Sequence, residues 1–171
     1  MAIIGITGKS GSGKSTYAKS LKGYYIDFDL YGHEVIDVNS LLLERHFGTS
    51  DRKKLGDIIF NNREKYHEFV DLIWKEQQRE IDKAIEWSKV SGQDAILDFI
   101  LLPKTKYWNI CDKKILMETP YEVRKDRVLK RDNITEEYFE KREKASMEYD
   151  KTEMDEVIQY NNTEGGVCQT Q

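Results

Sequence analysis

The chain has 171 residues, enough for one domain with a buried core. Charged residues make up 34% and hydrophobic ones 39%, and the net charge is −4; apolar runs at regular spacing exclude a disordered chain, and the lack of a basic excess argues against a nucleic-acid partner. No apolar stretch reaches the ~18 residues of a membrane span.

The opening MAIIGIT lacks a basic n-region, so residues 2–7 are expected to form a buried parallel strand and not a signal peptide. A Gly/Ser-rich turn follows, and STYAKSL opens a helix. Residues 24–28 (YYIDF) give a second strand. Over residues 30–47 Val35, Val38, Leu41 and Leu42 recur at helical spacing, and residues 51–60 form a further helix with Asp51 as its N-cap. Residues 64–89 read as one long amphipathic helix carrying Phe69, Leu72, Ile73, Ile81 and Ile85, ended by Ser91 and Gly92. Residues 95–102 (AILDFILL) and 113–117 (KKILM) are strands. Pro120 then sits where a helix first turn tolerates it, ahead of a basic helix to Arg131. A charged helix over 135–149 and a short strand over 156–160 complete the pattern, and a polar tail over 162–171 follows. Strands alternating with helices imply a single α/β domain, with a parallel sheet of about five strands between helical layers. Cys111 and Cys168 are expected as free thiols in a reducing cytoplasm.

Gly8-Lys9-Ser10-Gly11-Ser12-Gly13-Lys14-Ser15 satisfies G-x-x-x-x-G-K-[ST], between an apolar strand and a helix. Glycines let successive backbone N–H groups converge on phosphate oxygens, and the helix start adds its positive end. Lys14 reaches the β- and γ-phosphates of a nucleoside triphosphate, and Ser15 is placed to ligate Mg²⁺. The expected nucleotide site runs over Gly8, Lys9, Ser10, Gly11, Ser12, Gly13, Lys14, Ser15 and Thr16.

Three further features separate a kinase from a switch or a mechanical ATPase. Strand alternation over Asp27-Phe28-Asp29 would put two carboxylates on one side, at the ligand edge of such a sheet, where one can orient or deprotonate an acceptor hydroxyl. Asp98, closing an apolar strand, is suited to hold Mg²⁺ through water. The basic run Arg124, Lys125, Arg127, Lys130 and Arg131 places Arg127 and Arg131 on one helix face, as a lid over a triphosphate requires. The histidines His33, His46 and His67 lack metal-ligand spacing, and the aromatics form no basic-aromatic platform for RNA.

With those residues in hand, the chain resembles the dephospho-CoA kinases, P-loop kinases that phosphorylate a ribose 3′-hydroxyl. The likeness runs through IGITGKSGSGKST, YYIDFD with HEV, Phe47-Gly48 with DRKKLGDIIFNN, ILD at 96–98, Arg127 and Arg131 with RDNIT, and DEVIQYNN. It implies Asp29 as the catalytic base, Lys14, Arg127 and Arg131 as stabilisers of the transferring phosphoryl group, ATP as co-substrate with Mg²⁺, an acceptor-side helical segment over about 30–91 and a lid over about 124–146. The chain departs from the family pattern at His33, Trp74, Lys75, Ile100, Lys104 and Ser146. All but the last fall on the acceptor side, so the acceptor stays open between dephospho-CoA, a nucleoside and a nucleoside monophosphate. A nucleotide-binding regulatory protein is the alternative of another class.

Overall fold

Isoleucine and other apolar side chains fill the first strand on both faces, and a strand of that kind needs partners on either side. The structure of the protein, a computed structural model, describes residues 1–160 and 169–170; Cys168 and most of the tail over 162–171 lie outside the described residues. The chain divides into two compact units, one made of Met1–Ile26 with Ser88–Gln171 and the other of Asp27–Trp87.

In the first unit β1 (Ile3–Thr7) lies between β3 (Ala95–Asp98) and β4 (Lys113–Glu118), parallel to both. β2 (Tyr24–Asp27) lies beyond β3, and β5 (Glu156–Gln159) runs parallel to β4 on the other side. β6 (Gln169–Thr170) adds an antiparallel edge, giving the order β2-β3-β1-β4-β5-β6. The register pairs Ile6 with Asp98 and Thr7 with Leu116, so the carboxyl ends of β1, β3 and β4 meet at one edge. Ile6, Ile96, Ile115, Met117 and Ile158 bury one core with Ala18 of α1 (Lys14–Ser20). α7 (Tyr121–Asp132) follows β4, and α8 (Glu136–Lys144) follows α7. Asn133 adopts the left-handed conformation that ends α7, and Thr135 caps α8 by accepting from the Tyr138 N–H at 3.2 Å.

The second unit is helical: α2 (Phe28–Val38), α3 (Ser40–Phe47), α4 (Arg52–Asn61) and α5 (Arg63–Phe69) precede a π-helical turn over Val70–Trp74, and α6 (Lys75–Val90) runs out of it. Its core joins Val35, Leu43, Phe47, Leu55 and Ile73. Asp51 caps α4 as expected, accepting from the Lys54 N–H at 2.9 Å, and Asn62 caps α5.

Several boundaries differ from the sequence reading for identifiable reasons. The helix expected over 30–47 is two helices divided at Asn39, whose side chain donates back to the Val35 carbonyl at 2.8 Å. Val38 and Leu41 are 85% and 80% exposed, so helical spacing alone overstated the buried stripe. The long helix over 64–89 contains the π-turn, a one-residue expansion that a search for 3.6-residue spacing passes over. The third strand stops at Asp98 and not at Leu102, where a 3₁₀ turn (Leu102–Lys104) begins at the residue before Pro103. The last charged helix ends at Lys144, five residues short of the expected limit.

Leu43 is fully buried, and Leu43→Ala is expected to lower stability by ~2–5 kcal/mol. Gly56 lies within α4, where an added Cβ meets open space, so Gly56→Ala should raise stability by about 0.5–1 kcal/mol. Urea unfolding of the two variants beside the native protein checks both signs.

Candidate active site

The loop between β1 and α1 sits where three strand ends converge, and its glycines are there for conformation and for space. Gly8 has φ +150°, and a Cβ on it would lie 2.5 Å from the Met117 carbonyl oxygen on β4. Gly13 has φ +89° at the start of α1, and a Cβ there would press the Tyr160 ring at 2.7 Å. The loop is closed by a Ser12 N–H bond to the Lys9 carbonyl at 3.1 Å. Thr119, buried just after β4, directs its hydroxyl at the carbonyls of Ser12 (3.0 Å) and Tyr160 (2.8 Å). The loop is thereby tied to the ends of β4 and β5.

Asp98 stands at the same edge, 2% exposed. Its Oδ2 accepts from the Tyr25 hydroxyl at 2.7 Å. Its Oδ1 lies 4.0 Å from Lys14 Nζ and has no hydrogen-bond partner. Ser12 Oγ is likewise buried and unpartnered. Unsatisfied buried oxygens cost about 1–3 kcal/mol each, and one in the phosphate loop with another at the end of β3 mark a sheet edge prepared for polar contacts from outside the chain. Ser15 is half-buried and Thr16 exposed on the first turn of α1.

α7 supplies the cationic side. Arg127 Nη1 donates to the Gly11 carbonyl at 3.1 Å, and its guanidinium carbon lies 5.3 Å from the centre of the Tyr160 ring. Arg131 Nη2 donates to Ser10 Oγ at 3.3 Å. Its Nε is also bonded at 2.6 Å to Asp132, whose carboxyl is held below its usual range first by the Arg131 hydrogen bond and further by Arg142. Gly11, Gly13, Thr16, Arg127, Arg131 and Tyr160 line a cavity of about 630 Å³. Sequence spacing put Arg127 and Arg131 on one face, and the structure brings both to the loop.

Asp29 is placed differently from the expectation. β2 ends at Asp27, which accepts from the Leu30 N–H at 3.1 Å and caps α2, so Asp27 and Asp29 are not alternating strand residues. Asp29 is an exposed carboxylate in the first turn of α2, in the second unit. The sequence reading did not single out Tyr25, Thr119 or Tyr160. The doubled tyrosine of β2 was a visible signal for Tyr25, and Tyr160 lies within DEVIQYNN, one of the segments that carry the family likeness; nothing in the sequence marked Thr119. Among the described residues no helix is long and apolar enough to cross a membrane, and no cluster of three or more metal-binding side chains occurs.

A family model described as dephospho-CoA kinase matches residues 2–165. The chain belongs to the dephospho-CoA kinase family. A dephospho-CoA kinase of Aquifex aeolicus is 34% identical over 163 residues, covering 86% of this chain and 81% of the relative. One of Fusobacterium nucleatum is 31% identical, covering 94% and 90%. Among solved structures, the Thermus thermophilus protein TT1252 superposes with a TM-score of 0.81 at 26% identity, covering 95% of this chain and 90% of that one. The fold is therefore the α/β P-loop fold that the alternating elements implied, and this dephospho-CoA kinase relative is an ATP-dependent phosphotransferase. Its departures from the family pattern divide between the units. His33, Trp74 and Lys75 lie in the second; Ile100 and Lys104 lie in the first, where the Ile100 carbonyl accepts from Thr7 Oγ1 and from the Tyr149 hydroxyl.

Gly8→Ala is expected to weaken ADP binding at least tenfold, because the obstructing Met117 oxygen belongs to the backbone and cannot rotate away. Titration calorimetry with ADP checks it, and binding within about twofold of native would show that the loop tolerates the methyl group.

Proposed function

We propose that the protein transfers the γ-phosphoryl group of ATP to the ribose 3′-hydroxyl of dephospho-CoA. The observation that supports the donor side is the unpartnered Asp98 Oδ1 beside Lys14, at the sheet edge that carries the phosphate loop. Backbone N–H groups of residues 8–16 cradle the triphosphate. Lys14, as a mobile point charge, follows the oxygens that gain charge as the phosphoryl group moves, and Arg127 and Arg131 stabilise the same oxygens from α7. Ser15 and, through water, Asp98 would hold Mg²⁺; a buried carboxylate oxygen that accepts no hydrogen bond suits that role. Held there by Ser15 and Asp98, the ion would supply positive charge to offset that of the phosphates. Tyr160, stacked beside Arg127, offers an aromatic face to the nucleotide base.

On the acceptor side, Asp29 orients or deprotonates the hydroxyl that attacks. That role rests on the likeness of YYIDFD to the family's aspartate segment and on the exposed carboxylate in the first turn of α2. The helical unit Asp27–Trp87 supplies the acceptor pocket, and residues 124–146 act as the lid. His33, Trp74 and Lys75 sit in that unit, which favours altered acceptor preference as the second reading: a nucleoside or nucleoside monophosphate in place of dephospho-CoA.

ADP formation from Mg·ATP is the test, run with dephospho-CoA, nucleosides, nucleoside monophosphates and no acceptor. Stimulation by dephospho-CoA alone is expected; turnover only with another acceptor would overturn the substrate assignment, and turnover with none would overturn the kinase reading. Lys14→Ala and Asp29→Asn should each lower kcat by on the order of 100-fold or more. Asp29→Asn should leave ADP affinity intact. Near-native turnover by Lys14→Ala would remove the mechanism.

A further inference from the structure

Lys9 lies inside the phosphate loop, yet its ammonium is engaged by carboxylates that follow α7 in the chain. Nζ lies 2.6 Å from Glu148 Oε1 and 3.3 Å from Glu143 Oε1. Glu143, on the last turn of α8, also receives a two-pronged bond from Arg124 of α7, Nη1 to Oε2 at 2.9 Å and Nη2 to Oε1 at 2.7 Å. Arg124 is 6% exposed and donates two further N–H groups to the carbonyls of Thr119 (3.2 Å) and Ser10 (3.4 Å). One carboxylate thus joins two cations, one from the phosphate loop and one from the first lid helix.

We propose that the Lys9 side chain is a positioning residue, which straps α8 and Arg124 to the phosphate loop through Glu143, and is not a phosphate ligand. The inference rests on reading residues 124–146 as the lid, and it leaves to Lys9 only its backbone N–H as a contact for phosphate. Arg127 and Arg131 stand about one and two turns beyond Arg124 on the same helix, so where Arg124 is held decides where their guanidiniums meet Gly11 and Ser10. Hydrogen bonds from Arg124, working against burial, keep the Glu143 carboxyl below its usual range. The pairing is forked and half-buried on the Glu143 side, which distinguishes it from an exposed ion pair of little consequence. A phosphate ligand at Lys9 would have to draw the ammonium away from both glutamates.

The test compares native enzyme with Lys9→Met, Lys9→Arg, Glu143→Gln and the Lys9→Met/Glu143→Gln double variant, reading kcat, the ATP KM and the ADP Kd. Lys9→Met and Glu143→Gln should each lower kcat about tenfold with KM and Kd within about twofold of native, the double variant should be no worse than the poorer single one, and Lys9→Arg should restore most of the rate. A tenfold rise in ADP Kd or ATP KM for Lys9→Met would make Lys9 a phosphate ligand and overturn the proposal. An unchanged kcat, or losses that multiply in the double variant, would overturn it as well. Should Glu143→Gln fail to fold with Arg124 left unpaired, Lys9→Met, which leaves the Arg124 fork intact, carries the test with Glu148→Gln beside it. Lys14→Ala separates the two readings: if it is inactive while Lys9→Met behaves as native, the strap alone falls, and if it too stays active the phosphoryl-transfer mechanism is what fails.

Discussion

Parallel pairing of β1 between β3 and β4 is the constraint on which the donor site depends. Parallel strands in register share one direction, so the turn after β1, the carboxylate closing β3 and the hydroxyl after β4 are delivered to a common edge without any further device. Each strand carries a run of buried apolar residues, and Thr7, Asp98 and Glu118 fall where the strands stop. The cost of burying Asp98 is tolerable at that position because Tyr25 occupies one oxygen and Lys14 stands near the other.

The loop itself is held by its neighbours more than by its own turn. Met117, Arg124 and Tyr160 approach the glycine positions so closely that no side chain fits between them. That packing joins the phosphate loop, the end of β4, α7 and the end of β5 into one assembly. Positive charge reaches the loop from α7 by way of Gly11 and Ser10, and negative charge returns from α8 by way of Lys9. The arrangement holds the guanidiniums of Arg127 and Arg131 against the phosphate loop, and under the proposed mechanism little reorganisation remains when charge develops on a transferring group.

How much of this could be seen in the sequence depended on how local the cause was. The phosphate loop was legible because strand, glycines and helix follow within 20 residues. The spacing of Arg127 and Arg131 was legible because helical periodicity is local too. Asp29 was singled out for a reason the structure changes: alternation was extended one residue too far, past the point where Asp27 turns to cap α2. Asn39, Pro103 and the π-turn set boundaries that apolar spacing does not record. Glu143 was invisible, because its meaning comes from Arg124 and Lys9, 19 and 134 residues away in the chain.

The π-turn at Val70–Trp74 carries a consequence for how this chain tolerates change in length. A π-turn accommodates one surplus residue without interrupting the helix, so a single-residue deletion there would yield a regular α-helix with nothing visibly missing. Residues downstream would keep their angular phase, because about five residues of the wider turn sweep nearly the angle of four α-helical ones. Gln77, which donates to the Phe28 carbonyl at 2.6 Å, and the buried row of Ile81, Ala84, Ile85 and Ser88 would keep their facing. The segment therefore buffers length, and a gap of one residue there in a relative signals only the loss of the bulge, with no shift needed elsewhere in its helix.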